Sequence, residues 1–167
     1  MARTDISQAD ALDAVVLRLQ TELTLNERQC YPVARAQDVP SIPVGGNFWL
    51  TVAIGGGTFI PEEQSAGNVT EDADCIVTAY TRIRTDSTSH DRDLLLDDAR
   101  GLLAIKKLIL AAMCGHDLLD PEGDSFLRQL VFARNCSNPD KVNIPDATGA
   151  FGQIQITFGI MFDWSLS

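Results

Sequence analysis

The 167-residue chain is 45% hydrophobic and 22% charged, a balance that excludes a disordered chain and predicts one ordinary globular domain over residues 1–167. Its formal net charge is -10, and its 13 Lys and Arg residues form no basic run. Binding to a phosphate backbone relies on clustered cations, so we expect no specific nucleic-acid binding. An acidic surface would suit a protein past which DNA must move without being bound. No run is apolar for long enough to predict a membrane span.

The first predicted element is an amphipathic helix from Ser7 to about Leu25. Ser7 followed by Asp10 approximates a capping box at its N-terminus. Three prolines between positions 32 and 43 then exclude a long helix and leave at most a short extended piece near Tyr31. The apolar residues at helical spacing are Leu12, Val15, Val16, Leu19 and Leu23.

Two segments with period-two alternation follow and predict a hairpin. The first runs from Asn47 to Ile54 and the second from about Asp72 to Thr85. The run Gly55-Gly56-Gly57 predicts an end to the first strand and a flexible hinge. Residues 55–70 are therefore expected to form an oversized loop, and a loop of that length is usually functional or mobile.

This loop carries the candidate interaction residues. Two bulky apolar side chains beside a glycine run need either a core or a partner, which makes this loop a candidate interface. Ordinary solubility is the alternative explanation for the nearby carboxylates, which could otherwise form a negative rim or channel lining. We expect the loop to be poorly ordered until assembly supplies apolar contacts. The candidate interface residues are Gly55, Gly56, Gly57, Phe59 and Ile60, and the candidate rim residues are Glu62, Glu63, Glu71, Asp72 and Asp74.

A second, leucine-rich helix is predicted from about Asp91 to Cys114, with turn residues at 86–90 before it. Its apolar side chains surround more than one face, which indicates burial on two sides, by the sheet and by a neighbour. Acidic residues in its early turns fit the helix dipole better than a cation site. Gly115 is the expected left-handed end of this helix.

Two more strands complete the predicted fold. One covers Phe126 to Arg134, residues 138–149 form a second insertion, and the last strand begins at Gly152. In that last strand every even position from Ile154 to Leu166 is large and apolar, which places one whole face in the core. Strands joined by loops favour antiparallel pairing. We therefore predict an α+β domain, with a mostly antiparallel sheet of four to five strands packed against two helices and one long hairpin tip.

The residues do not predict an active site. Only two histidines are present, His90 and His116, and neither belongs to a recognisable catalytic arrangement. Cys114-Gly115-His116 is interpreted as a helix end, because no further zinc ligands are suggested elsewhere. We expect four free cysteines, no metal, no cofactor and no catalysis.

The order and pattern of these elements resemble tail terminator and tail completion proteins, the head-tail connector proteins of long-tailed bacteriophages. The resemblance rests on the acidic composition, the amphipathic first helix, the long-tipped hairpin, the leucine-rich helix and the last strand, QITFGIMFDW at residues 155–164. It runs from about Ser7 to Ser167.

The resemblance implies a structural virion protein that forms a ring, usually of six subunits, at the neck on top of the tail tube. Such a ring ends tube polymerisation and docks the head completion or connector proteins. The implied partners are copies of this chain, the tail tube protein and a head completion protein, with assembly in the host bacterial cytoplasm. Two alternatives remain open: another neck or tail-tube component, or a non-viral α+β domain that binds a small ligand or a protein.

Overall fold

The structure is a computed structural model that describes residues 7–64, 67–83, 95–97, 101–145 and 147–165. Its first helix, α1 (Gln8–Leu23), confirms the predicted one. The Ser7 hydroxyl accepts the Asp10 N–H at 3.2 Å, and the Asp10 carboxylate accepts the Ser7 N–H at 2.9 Å, so the capping box is complete. The helix ends at Thr24, which has a φ of 52°, slightly earlier than predicted.

One six-stranded sheet carries the rest of the fold, in the order β1-β2-β3-β6-β4, with β5 also paired to β6. Only β1 runs parallel to its neighbour, so the predicted α+β class with a mostly antiparallel sheet is confirmed. The predicted short piece near Tyr31 is β1, and β5 lies inside the predicted 138–149 insertion, which is therefore partly strand. The strands are β1 (Cys30–Pro32), β2 (Phe48–Phe59), β3 (Asn68–Ile83), β4 (Phe132–Cys136), β5 (Asp140–Val142) and β6 (Ala150–Ser165).

The last strand, β6, is central as its alternation predicts. It pairs with β3 along its whole length, from Asn68 opposite Ser165 to Ile83 opposite Ala150. Its even positions lie in the main core, against buried residues of both helices. The fully buried side chains of this face are Ile154, Ile156, Phe158, Ile160 and Phe162.

The predicted loop at residues 55–70 is wrong in extent. Strand β2 continues through the three glycines to Phe59, and β3 begins at Asn68, so the connection is short and includes a 3-10 turn at Pro61–Glu63. The register of β2 against β3 shifts at a β-bulge between Ile54 and Gly57. The neighbouring strand β3 supplies backbone partners, and this pairing outweighs the weak strand preference of glycine.

The second described helix, α2 (Leu102–Met113), ends at Cys114 as predicted, and Gly115 follows with a φ of 74°. The predicted helix start near Asp91 and the turn at 86–90 lie outside the described residues. The sheet and α1 cover one side of α2, while Leu103 and Leu108 stay 45% and 46% exposed. None of the described helices is long and apolar enough to cross a membrane.

The strand predicted from Phe126 to Arg134 is shorter and later than expected, because β4 covers only Phe132–Cys136. Phe126 and Val131 are buried without belonging to a strand, and Val131 is held by hydrogen bonds with Gly115 and His116. Leu127 forms an isolated antiparallel bridge with Phe162, and continuous pairing with β6 begins only at Phe132.

A second, smaller core lies on the sheet face away from the helices. Trp49 stacks on Tyr80 with ring centroids 5.4 Å apart, and Phe151 meets Trp49 edge-on at 5.9 Å. Ile144 completes this cluster, so the 138–149 segment folds back onto the sheet.

Candidate assembly surface

The predicted interface residue Phe59 lies at the last position of β2, opposite Glu71 of β3. Its side chain is 54% exposed, although phenylalanine is usually buried. Ile60 follows it, and the Ile60 N–H donates to the Thr70 carbonyl at 3.0 Å. This bond continues the backbone pairing with β3 one residue past the end of β2. The structure thus presents Phe59 on an ordered hairpin end.

Phe59 belongs to an apolar depression of about 370 Å³, which we call the hairpin-end patch and which is lined by Phe59, Gln64, Val69 and Trp164. Val69 of β3 lies directly opposite Trp164 of β6. Because alternate strand residues share a face, Val69 lies on the same face as Ala73, which belongs to the core beneath the helices. The patch therefore extends the helix-bearing face of the sheet.

Glu71 is not part of an acidic rim, as the sequence suggested, because its residue is only 4% exposed. Its carboxylate accepts the side-chain N–H of Gln8, at 3.1 Å, and the indole N–H of Trp164, at 2.5 Å. Gln8 is the first residue of α1, so these bonds also place the helix N-terminus beside the hairpin-end patch. Glu71 is a structural residue that fixes the Trp164 ring.

The three glycines have separate roles, and the predicted hinge is wrong. A Cβ on Gly57 would lie 2.5 Å from the Glu71 carboxylate, so glycine is needed there to admit that side chain. A Cβ on Gly56 would meet nothing within 4 Å. Gly55 and Gly56 lie within the bulge, and neither has a positive φ.

Asp72 and Asp74 point to the other face of the sheet, where Arg134 of β4 forms ion pairs with both. The Arg134 Nε lies 3.2 Å from the Asp74 carboxylate. The guanidinium also covers the Phe132 ring, 5.1 Å from its centroid. These two carboxylates are neutralised within the chain, which contradicts their assignment to a free negative rim.

Among the predicted rim residues whose side chains the structure describes, Glu62 is the one that is exposed. The side chain of Glu63 is not among those described. Glu62 stands in the 3-10 turn at the hairpin end, in the sequence between Phe59 and Gln64, which both line the hairpin-end patch. Of the negative rim predicted around the loop, the described and exposed part is therefore confined to this turn.

A second exposed apolar surface lies on α2, for which the sequence predicted burial on two sides, by the sheet and by a neighbour. We call it the α2 face; its exposed residues are Leu103, Lys107, Leu108 and Ala111. Lys107 and its neighbour Lys106 form no ion pair within the described part of the chain. The sequence signal for this surface is the presence of apolar residues on more than one side of the predicted helix.

The cavities and titratable groups do not form a catalytic arrangement among the described residues. A cleft of about 570 Å³ lies between Pro40 and Phe151, and the Arg82 guanidinium on its wall donates to the Pro43 carbonyl. The described residues include no cluster of three His, Cys, Asp or Glu side chains that could hold a metal. Burial raises the pKa of the Cys30 and Cys75 thiols to about 12, which keeps them protonated.

No family model and none of the curated proteins matches this chain. Among solved structures, it is similar to a chain of the virion of a native gene transfer agent (GTA) particle, with a TM-score of 0.51 and 16% sequence identity. The match covers 94% of this chain and 99% of that chain. The two chains share a fold.

Proposed function

We propose that this chain is a structural virion protein that forms a ring of about six subunits at the head-tail junction. The observation that carries the proposal is the fold shared with a virion chain over nearly the full length of both. The finer role, capping the tail tube, ending its polymerisation and docking the head completion proteins, follows from the resemblance to tail terminator and tail completion proteins.

The exposed apolar surfaces support an assembly role. An apolar patch on a protein surface usually marks a contact with another macromolecule. Phe59 at the hairpin end and Leu108 on α2 are both about half exposed, on separate parts of the molecule. A ring subunit needs two such surfaces, since it meets one neighbour on each side.

The charge of the chain also agrees with the proposal. A subunit in the neck of a virion stands beside DNA that must pass without being held, and a net charge of -10 disfavours lasting contact with phosphates. In this role the protein is not an enzyme, and it acts by contact with copies of itself, with the tail tube protein and with a head completion protein. The shared fold supports a second candidate as well, another neck or tail-tube component.

The function is tested by adding the purified protein to tail tube protein that is polymerising. We expect tubes that stop growing and carry one ring at one end in negative-stain images. The Phe59→Asp variant should leave the tubes longer, because a charge at the hairpin end opposes the contact. Val44→Asp is the matched control, since Val44 is 96% exposed and lies outside both apolar surfaces. Tubes of unchanged length, with no density at their ends, would contradict the terminator role.

A further inference from the structure

The solvent side of α2 is unusually apolar for an exposed helix. A surface helix normally carries charged and polar residues on the side away from the core. On α2, Leu103, Lys107 and Ala111 follow one another at intervals of four and so form one row, with Leu108 beside it. This row and Leu108 remain exposed in the single chain, which indicates that another molecule covers them.

Charge indicates which molecule that is. Two copies of a chain with a net charge of -10 repel each other, so a contact between copies needs cations at one of its sides. Lys106 and Lys107 are adjacent cations on α2 that form no ion pair within the described residues. The hairpin end carries the opposite charge, because the exposed Glu62 stands in the 3-10 turn between Phe59 and Gln64, two residues that line the hairpin-end patch.

The positions of the two surfaces suit a contact that runs from one copy to the next. The hairpin-end patch lies on the helix-bearing face of the sheet, at the end where α1 begins, since Gln8 meets Glu71 there. Beyond that helix end, the described residues of this face form the hairpin-end patch, a depression of about 370 Å³. Two different surfaces on one chain give a head-to-tail contact, which closes into a ring when the rotation between copies allows it.

We propose that each copy lays its hairpin-end patch on the α2 face of the next copy. Phe59 and Trp164 then cover Leu103 and Leu108, and Glu62 lies beside Lys107. This contact deepens the proposed function and rests on it, because it specifies the surfaces through which the ring closes.

Charge reversal tests the contact. Lys107→Glu and Glu62→Lys should each raise the concentration for half-assembly by about tenfold or more, because each places like charges together. The double variant should recover assembly close to that of the wild type, since every contact again pairs opposite charges. The control is Arg28→Glu, which changes the net charge by the same amount as Lys107→Glu at an exposed arginine outside both surfaces.

An apolar pair gives a second, independent test. Leu108→Asp should prevent rings, whereas Leu130→Asp should not, although Leu130 is 54% exposed and the substitution is the same. Circular dichroism and the melting temperature show that each variant is folded, and sedimentation velocity measures assembly. If the wild type forms rings and Lys107→Glu and Leu108→Asp form them equally well, the contact is wrong while the proposed function stands. If the wild type forms no ring, either alone at its highest soluble concentration or on isolated tail tubes, the proposed function fails and this contact fails with it.

Discussion

Trp164 donates its indole N–H to the buried carboxylate of Glu71, with 2.5 Å between the nitrogen and the oxygen. Glu71 lies opposite Phe162 in the β3–β6 pair, so Trp164 reaches it diagonally along the strand. The Trp164 ring is therefore held in place before any partner arrives. A surface that is ordered in advance loses less conformational entropy when it binds.

Replacing Glu71 by Ala should destabilise the fold by about 1 to 3 kcal/mol, because the Trp164 and Gln8 donors lose their acceptor in a buried place. Urea unfolding followed by circular dichroism measures the change. Glu62→Ala is the control, since this exposed glutamate should alter the unfolding free energy by less than about 0.5 kcal/mol. Equal stability of the two variants would show that Glu71 behaves as an ordinary surface residue.

Gly159 makes room for a neighbouring aromatic ring, so Gly159→Ala should cost about 1 to 3 kcal/mol through overpacking. A Cβ there would lie 2.6 Å from the Phe132 ring and 2.8 Å from the Arg134 guanidinium. Thermal unfolding measures the effect. Gly56→Ala should leave stability unchanged or raise it by up to about 1 kcal/mol, because its Cβ would meet open space. The reverse order of the two variants would contradict the placement of Phe132 over β6.

Phe158→Ala should cost about 3 to 5 kcal/mol, since its side chain is fully buried between the sheet and the helices. Phe59→Ala removes the same atoms from a half-exposed position and should cost less than about 1 kcal/mol in the monomer. Denaturant midpoints of the two variants give the comparison. An unchanged melting temperature for Phe158→Ala would mean that the wrong face of β6 has been assigned to the core.

The parts of this fold that sequence could predict are those with local signals. The alternation of β6 and the Ser7–Asp10 pair each lie within one element, and both predictions are confirmed. The end predicted for β2 at Gly55 was wrong because Gly57 to Phe59 pair with β3 beyond a bulge at Gly55 and Gly56, which no local pattern reveals. A strand can continue through poor strand formers when a long neighbour pairs with it.

The sequence-based prediction of the candidate site was wrong for acidic residues whose partners are distant in the chain. Glu71 bonds with Gln8, 63 residues away, and Arg134 pairs with Asp72, 62 residues away. Acidic residues near one another in sequence were therefore assigned to one rim, although strand alternation sends Glu71 and Asp72 to opposite faces. Phe59 was expected to need either the core or a partner, and the structure leaves it 54% exposed at the end of β2, so its role at an interface stays a prediction.

The reactivity of the four cysteines toward an alkylating reagent tests which of them are buried in the core. At pH 9.0, the ordinary pKa of a thiol, an exposed cysteine is half ionised, whereas Cys30 and Cys75 keep their protons because burial raises their pKa to about 12. Iodoacetamide should therefore label Cys114 and Cys136 in the folded protein and all four cysteines after denaturation. Intact mass and peptide mapping follow the labelling. Similar rates for Cys75 and Cys136 in the folded protein would contradict the burial of β3.

The assembly state of the purified wild-type chain tests the central claim most directly. Native mass spectrometry over a range of protein concentrations, with negative-stain images of the same samples, measures subunit number and shape together. We predict a closed ring of about six copies that forms as concentration rises and dissociates on dilution. A protein that remains a monomer at its highest soluble concentration, and that forms no ring on isolated tail tubes, would contradict the account.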